Sequence, residues 1–222
     1  MKKIILWIFI GIVVIVASVL GTLMIFEKNA LVISKGKVIE NYPVEKPALL
    51  VIDIQEGLTG SLSSSECYTK GSDAYINKVN TLIEKSNEDS LPVIYVRNEI
   101  TNWFINLLNN SYAKGNPSAG FDKRLKITSG YLITKDKSDS FCNPALDSIL
   151  IKNKVNKLFV VGLDAAFCVN STIDAAKNRG YKIAVISDAV LSKSDTMKIR
   201  MLNEYRIKNV EIMASEEFLK RQ

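Results

Sequence analysis

Apolar and polar positions divide this chain into two regimes. From Ile4 to Phe26 the run IILWIFIGIVVIVASVLGTLMIF carries no charge, with Lys2 and Lys3 before it and Glu27 and Lys28 after it. At about 1.5 Å of rise per residue, a helix of this length crosses a hydrocarbon core of roughly 30 Å. A secretory leader has an apolar core of about 7–15 residues and a small-x-small cleavage site. This run is longer and offers no convincing site, so the pattern predicts an uncleaved single-pass transmembrane helix over residues 4–26. A core helix is the plainer alternative, but one that is apolar on every side, ahead of a complete domain, fits that poorly. Residues 27–46 follow as a polar juxtamembrane connector that ends in a Pro-containing, extended stretch.

From Pro47 onward the regime changes to apolar runs of four to seven residues alternating with longer amphipathic segments. The runs predict strands at 48–53 (ALLVID), 92–97 (PVIYVR), 130–134 (GYLIT), 157–163 (KLFVVGL), 182–188 (KIAVISD) and 209–214 (NVEIMA). Helices are predicted at 73–88, 102–108, 144–152, 168–178 and 194–205. Near-continuous apolar strands between amphipathic helices indicate an α/β domain over residues 47–222 with a parallel sheet covered on both faces. Because crossovers are right-handed, six such units wind a doubly wound, three-layer Rossmann-like sandwich. Arg179 and Gly180 supply a stop for the fourth helix, a cation in its last turn and a C′ glycine.

Composition narrows the classes of function. The chain is 47% hydrophobic over 222 residues, enough for one domain with a sizeable core beside the apolar helix. The formal net charge is +6. Residues 1–47 hold six lysines against three acids, and the remaining excess is dispersed. No basic block interleaves with aromatics, so no nucleic-acid partner is expected; the juxtamembrane lysines suit anionic headgroups. Lys2 and Lys3 compete with Lys28, Lys35, Lys37 and Lys46, so charge leaves the membrane orientation open. Cys67, Cys142 and Cys168 are too few and too widely spaced for a disulfide framework or a CxxC metal site. One pair, Cys67 with Cys142, stays open.

In doubly wound sheets ligands bind beyond the carboxyl ends of the strands, and three strand ends carry reactive side chains. Asp53 follows the first strand, Lys135 the third, and Cys168 a glycine turn after the fourth. A thiol of ordinary pKa near 8.5 needs a base or a cation to become a nucleophile. The chain contains no histidine, so Asp53, desolvated at a strand end, is the candidate base. Lys135 would hold the anions, and the start of the Cys168 helix adds partial positive charge. Each residue has a plainer reading: an aspartate ending a strand as a cap, a lysine as solvated, a cysteine as core. Their convergence on one sheet edge is what favours chemistry.

ALLVIDIQ with Asp53, KDKSDSF from Lys135 to Phe141, and VVGLDAAFCVNSTIDAAKNRGYKIAVISDA over 160–189 resemble the isochorismatase-like cysteine hydrolases. The likeness spans about residues 47–214. It is most specific in the glycine before Cys-Val, followed by Ser-Thr, Asp-Ala and Arg-Gly-Tyr. The resemblance implies an Asp53, Lys135, Cys168 triad that hydrolyses amide-type C–N bonds of small molecules through a Cys168 thioester. Lys135 takes the lysine role because Phe141 lies six residues beyond it; Lys137 is the fallback. The resemblance also implies a cis peptide at Leu163–Asp164, with the Asp164 and Cys168 backbone amides as an oxyanion hole. Asp174 and Asp188 match positions that support helices and turns.

Departures from the family pattern refine the expectation. Nicotinamidases of this type bind a metal through an aspartate and histidines, whereas here the region after the first strand reads IQEGLTGSLSSSECY. No metal or other cofactor is expected, and nicotinamide is disfavoured as substrate. Isochorismatases proper lack the nucleophilic cysteine, so Cys168 argues against isochorismate. Asp164 stands where small residues are common, which suggests a carboxylate beside the pocket that repels acidic or binds cationic substrates. The rival readings are a catalytically inactive, membrane-tethered binding protein of the same fold, and a nucleotide-binding Rossmann domain. The latter is disfavoured by the absence of GxGxxG and GxxxxGK[ST]. Rapid alkylation of Cys168 relative to Cys67 and Cys142 would separate enzyme from binding protein. Trp103 and Phe104 are candidates for a lid or apolar wall, with ordinary helix packing as the alternative. Substrate identity and homo-oligomer formation stay open.

Overall fold

The computed structural model describes residues 2–40 and 42–221; residue 1, residue 41 within the predicted connector, and residue 222 at the end of the predicted domain lie outside it. The first element is the helix α1 (Lys2–Ala30), which continues four residues past the apolar run and buries none of its side chains. Among the described residues it is the one helix long and apolar enough to cross a membrane, with a mean hydropathy of 3.0 over its best window.

The strands are β1 (Pro47–Ile52), β2 (Val93–Asn98), β3 (Tyr131–Lys135), β4 (Lys157–Gly162), β5 (Lys182–Val190) and β6 (Glu211–Met213). Every pairing is parallel, and the order is β3-β2-β1-β4-β5-β6. All six predicted strands form, shifted by a residue or two at their ends. The helices are α2 (Glu66–Thr69), α3 (Ser72–Glu88), α4 (Trp103–Leu108), α5 (Pro144–Lys152), α6 (Asn170–Asn178), α7 (Asp195–Ile207) and α8 (Ser215–Leu219). Caps explain the starts: Asn102, Asn143 and Ser194 each accept a hydrogen bond from a backbone amide in the first turn of α4, α5 and α7. Short α2 and α8 have no periodicity long enough to read in advance.

Alternation along each strand builds two cores. Leu50, Ile52, Ile94, Val96, Leu158, Val160 and Val185 pack with residues of α5, α6 and α7 on one face. Leu49, Val51, Tyr95, Phe159, Val161 and Ile186 pack with α3 and α8 on the other. Phe218 of α8 meets Phe159 edge to face, with centroids 4.9 Å apart. At its end α6 closes with Gly180 at φ 83°, the Gly180 amide bonding Lys177 O and the Tyr181 amide Ala176 O. Arg179, the cation at this helix end, is buried. It is 2% exposed, bonds both oxygens of Asp147 at 2.7 and 3.0 Å, and lies over the Phe141 ring.

The connector is docked against the domain. Ser34 N donates to Asp139 Oδ2 at 2.8 Å, Ile39 N to Arg179 O at 2.9 Å, and Ile33 and Ile39 pack on the core. Buried partners on the domain, rather than its own polar composition, order it.

Beside the centre of the sheet the backbones of β1 and β4 come unusually close. Gly162 has φ 121°, and a Cβ there would lie 2.0 Å from Ile52 O and 2.7 Å from Ile52 N. Gly162→Ala should therefore lose at least about 3 kcal/mol of stability. A melting temperature equal to that of the parent protein, measured by circular dichroism in the same detergent, would show the approach to be relaxed at little cost.

Candidate active site

The order of strands reverses between β1 and β4, and the residues predicted from strand ends gather there. Asp53 leaves β1 in the left-handed region at φ 54°, its amide held by Val96 O at 2.8 Å; aspartate tolerates that conformation better than most residues. Lys135 is the last residue of β3, paired in register with Asn98 of β2. Cys168 lies in a π-helical turn, Ala165–Val169, that leads into α6. The cysteine is thus within the first turns of the helical segment, not its first residue.

The Lys135 ammonium joins the three. Nζ lies 2.9 Å from Asp53 Oδ2 and 3.1 Å from Cys168 Sγ, and donates to the carbonyls of Lys137 and Ser138 at 3.0 and 3.3 Å. Lys135 and Asp53 are 2% and 3% exposed, so the pair is screened from water. Lys137, the fallback, contributes a backbone oxygen to Lys135. Burial opposes the charge on Lys135, but Asp53 and the Cys168 sulfur outweigh it and hold its pKa above the ordinary lysine value. The Cys168 thiol is pushed up to about 12, first by burial and then by the charge of Asp53, with Lys135 acting in the opposite sense. At neutral pH this cysteine therefore rests as a thiol, so rapid alkylation of the resting protein is not the expected signature of its reactivity. All three cysteines are free, Cys67 being exposed.

The Leu163–Asp164 peptide is cis. The amides of the turn find partners: Ala165 N donates to Leu191 O, Ala166 N to Asp164 Oδ1, and Phe167 N and Val169 N to Asp164 O. The Asp164 and Cys168 amides take none of these acceptors. The Asp164 carboxylate does not face a substrate as its sequence position suggests. It caps Ala166 N at 2.6 Å and accepts hydrogen bonds from Tyr68 and Ser192 hydroxyls at 2.8 and 3.0 Å, which uses its lone pairs on the fold.

Several neighbours were not visible in the sequence. Tyr112 lies near enough for Asp53 and Cys168 to add to the effect of burial, which pushes its phenol up to about 12. Gln55 clamps the ends of β1 and β2, accepting from Asn98 N and donating to Asn98 O and Ala119 O. Asp53 Oδ1 and Asn98 Oδ1 are buried without a hydrogen-bond partner among the described residues, two acceptors at adjacent strand ends. Asp174 and Asp188 serve as supports. Asp174 bonds Lys208 of the segment after α7, and Asp188 accepts from Ser215 N at the start of α8 and from Lys78. Trp103 of α4 is 75% exposed, its ring edge to face with Phe104, so ordinary helix packing does not account for it.

The chain is 23% identical over 150 residues to the uncharacterized isochorismatase family protein YaaI of Bacillus subtilis, covering 67% of this chain and 82% of that protein. It is 24% identical over 150 residues to the N-carbamoylsarcosine amidase of an Arthrobacter species, covering 62% of this chain and 56%, little over half, of the amidase. The crystal structure of N-carbamoylsarcosine amidase from Thermoplasma acidophilum superimposes with a TM-score of 0.65 at 26% identity, covering 77% of this chain and 96% of that one. The isochorismatase domain matches residues 47–217, unbroken from the first residue of β1 into α8, and the chain therefore belongs to the isochorismatase family of hydrolases.

Proposed function

We propose that this protein is a membrane-anchored cysteine hydrolase that cleaves an amide-type C–N bond of a small molecule through a Cys168 thioester. The observation that carries the reading is the buried Lys135 ammonium in contact with both the Asp53 carboxylate and the Cys168 sulfur. Relatives described as N-carbamoylsarcosine amidases favour carbamoyl and ureido compounds as the first substrates to test.

In this scheme the thiol is protonated at rest and Asp53, through its unpartnered Oδ1, accepts the proton as sulfur attacks the carbonyl carbon. The carbonyl electron pair moves to oxygen, and the Asp164 and Cys168 amides hold the oxyanion. As the C–N bond breaks, the leaving nitrogen takes the proton from Asp53, leaving a thioester. Asp53 then removes a proton from water, hydroxide adds to the thioester carbon, and the C–S bond breaks. The sulfur recovers its proton from Asp53. Lys135 keeps its charge throughout and fixes both partners. The α1 helix anchors the enzyme, its length and hydropathy supporting that reading.

The decisive experiment is a screen of small amides, ureides and carbamoyl compounds against the full chain in detergent, with Cys168→Ala as control. Turnover retained in that variant would overturn the scheme. Asp53→Asn should lower kcat by roughly 10²–10⁴-fold, yet speed alkylation of Cys168. Removing the carboxylate takes away a charge that raises the thiol pKa and leaves the lysine that lowers it. Each unit of decrease gives about tenfold more thiolate near neutral pH. Iodoacetamide labelling followed by mass spectrometry, with exposed Cys67 as internal reference, reads this directly; slower or unchanged labelling in the asparagine variant would contradict the assigned role of Asp53. Lys135→Met should abolish turnover while Lys137→Met leaves kcat within a few-fold, since only the backbone of Lys137 meets the site; the reverse result in the same assay would move the role to Lys137.

A further inference from the structure

The last residue of α1 is tied to the loop that follows the lysine. Ser138 N donates to Ala30 O at 2.9 Å, and the carbonyl of the same Ser138 accepts from Lys135 Nζ. From Ala30 the connector crosses the α5 and α6 side of the domain through the Ser34 and Ile39 contacts. It reaches the opposite edge where Lys46 N bonds Asn156 Oδ1 at 2.8 Å. So α1 leaves the domain at the carboxyl edge of the sheet, although β1 begins at the other edge. No residue of α1 is buried against the domain.

This fixes the distance between site and bilayer. The apolar run ends at Phe26, and four further helical residues to Ala30 rise roughly 6 Å. The headgroup layer outside a hydrocarbon core of about 30 Å is itself about 5–7 Å thick. With α1 across a bilayer, Ser138 and the rim of the site lie at headgroup level. The same edge carries α4, which follows β2 and buries only Ile105. Trp103, Leu107 and Leu108 are 75, 73 and 53% exposed, an apolar face that nothing in the chain covers among the described residues. Around that edge Lys28, Lys70, Lys114 and Lys193 are exposed, as are Glu27, Glu66, Asp136 and Asp195, and the lysines suit anionic headgroups.

We propose that the carboxyl edge of the sheet is a membrane-facing surface, with α4 seated in the headgroup layer through Trp103, Leu107 and Leu108. Tryptophan favours that depth because its ring is apolar at one end and bonds water at the other. The proposal rests on α1 being a membrane anchor, and it brings the site of the proposed hydrolysis to the level of the lipid headgroups.

The two tryptophans of the chain, Trp7 in α1 and Trp103 in α4, allow both statements to be tested separately. The full chain is reconstituted as Trp7→Phe and as Trp103→Phe in phosphatidylcholine and phosphatidylglycerol vesicles that contain lipid brominated near the headgroup end of the acyl chains. Trp103, alone in the first variant, should emit at blue-shifted wavelength, be quenched by the brominated lipid and be shielded from aqueous acrylamide. Quenching of Trp7 but not of Trp103, with Trp103 open to acrylamide, would overturn the docking and leave the anchor standing. Trp103 shielded from both quenchers would overturn it in favour of a second copy of the chain on α4. Failure of brominated lipid to quench either residue would remove the anchor, and the docking with it.

Discussion

A buried ammonium must be surrounded by acceptors, and in this protein that demand organises the site. Lys135 is cut off from water, a desolvation that only close, well-placed oxygen and sulfur atoms can offset. They come from three separate places: Asp53 after β1, Cys168 in the π-helical turn, and the carbonyls of Lys137 and Ser138. One cation therefore ties together strand ends that are distant in sequence. Through Ser138 the same network reaches the end of α1. The position of the apolar helix is thus connected, bond by bond, to the group that holds the thiol and the carboxylate in place.

The backbone around this cluster is as constrained as its charges. Gly162 leaves room for Ile52 where any side chain would collide, and Asp53 turns out of β1 in a conformation that few residues adopt. Asp164 shows how one residue divides between fold and site. Its carboxylate is committed to Ala166 N, Tyr68 and Ser192, which anchors the turn to the segments after β1 and β5. Its amide is left without those local acceptors. Burial and Asp53 together keep the thiol protonated, so the chemistry proposed here draws on proton transfer during attack and not on a resting thiolate.

Much of this was legible in advance because it depends on local rules. Runs such as ALLVI are buried on both faces of a parallel sheet and need no partner to be recognised. Asn102, Asn143 and Ser194 mark helix starts by their own chemistry. Asp53, Lys135 and Cys168 could be nominated because strand carboxyl ends converge in this topology. Other features left no local mark. Gln55 and Asn98 are ordinary polar residues at the ends of β1 and β2, and Tyr112 reaches the site through the path of the long segment between β2 and β3. The polar connector gave no sign that Asp139 and Arg179 would bind it, since both partners are more than a hundred residues away in sequence.

The sequence by itself determined the strands and the longer helices, their alternation, the apolar helix and three candidate site residues, because periodicity, capping and burial on two faces are written in neighbouring residues. Only the tertiary structure decided which charges are buried and paired. Arg179, read as a helix-end cation, is a buried partner of Asp147; Asp164, read as a pocket carboxylate, is a cap. It also decided that α1 departs from the same edge that holds Lys135. These are consequences of long-range contact, and a carboxylate or a guanidinium has the same local signature whether it faces water, a substrate or another buried charge.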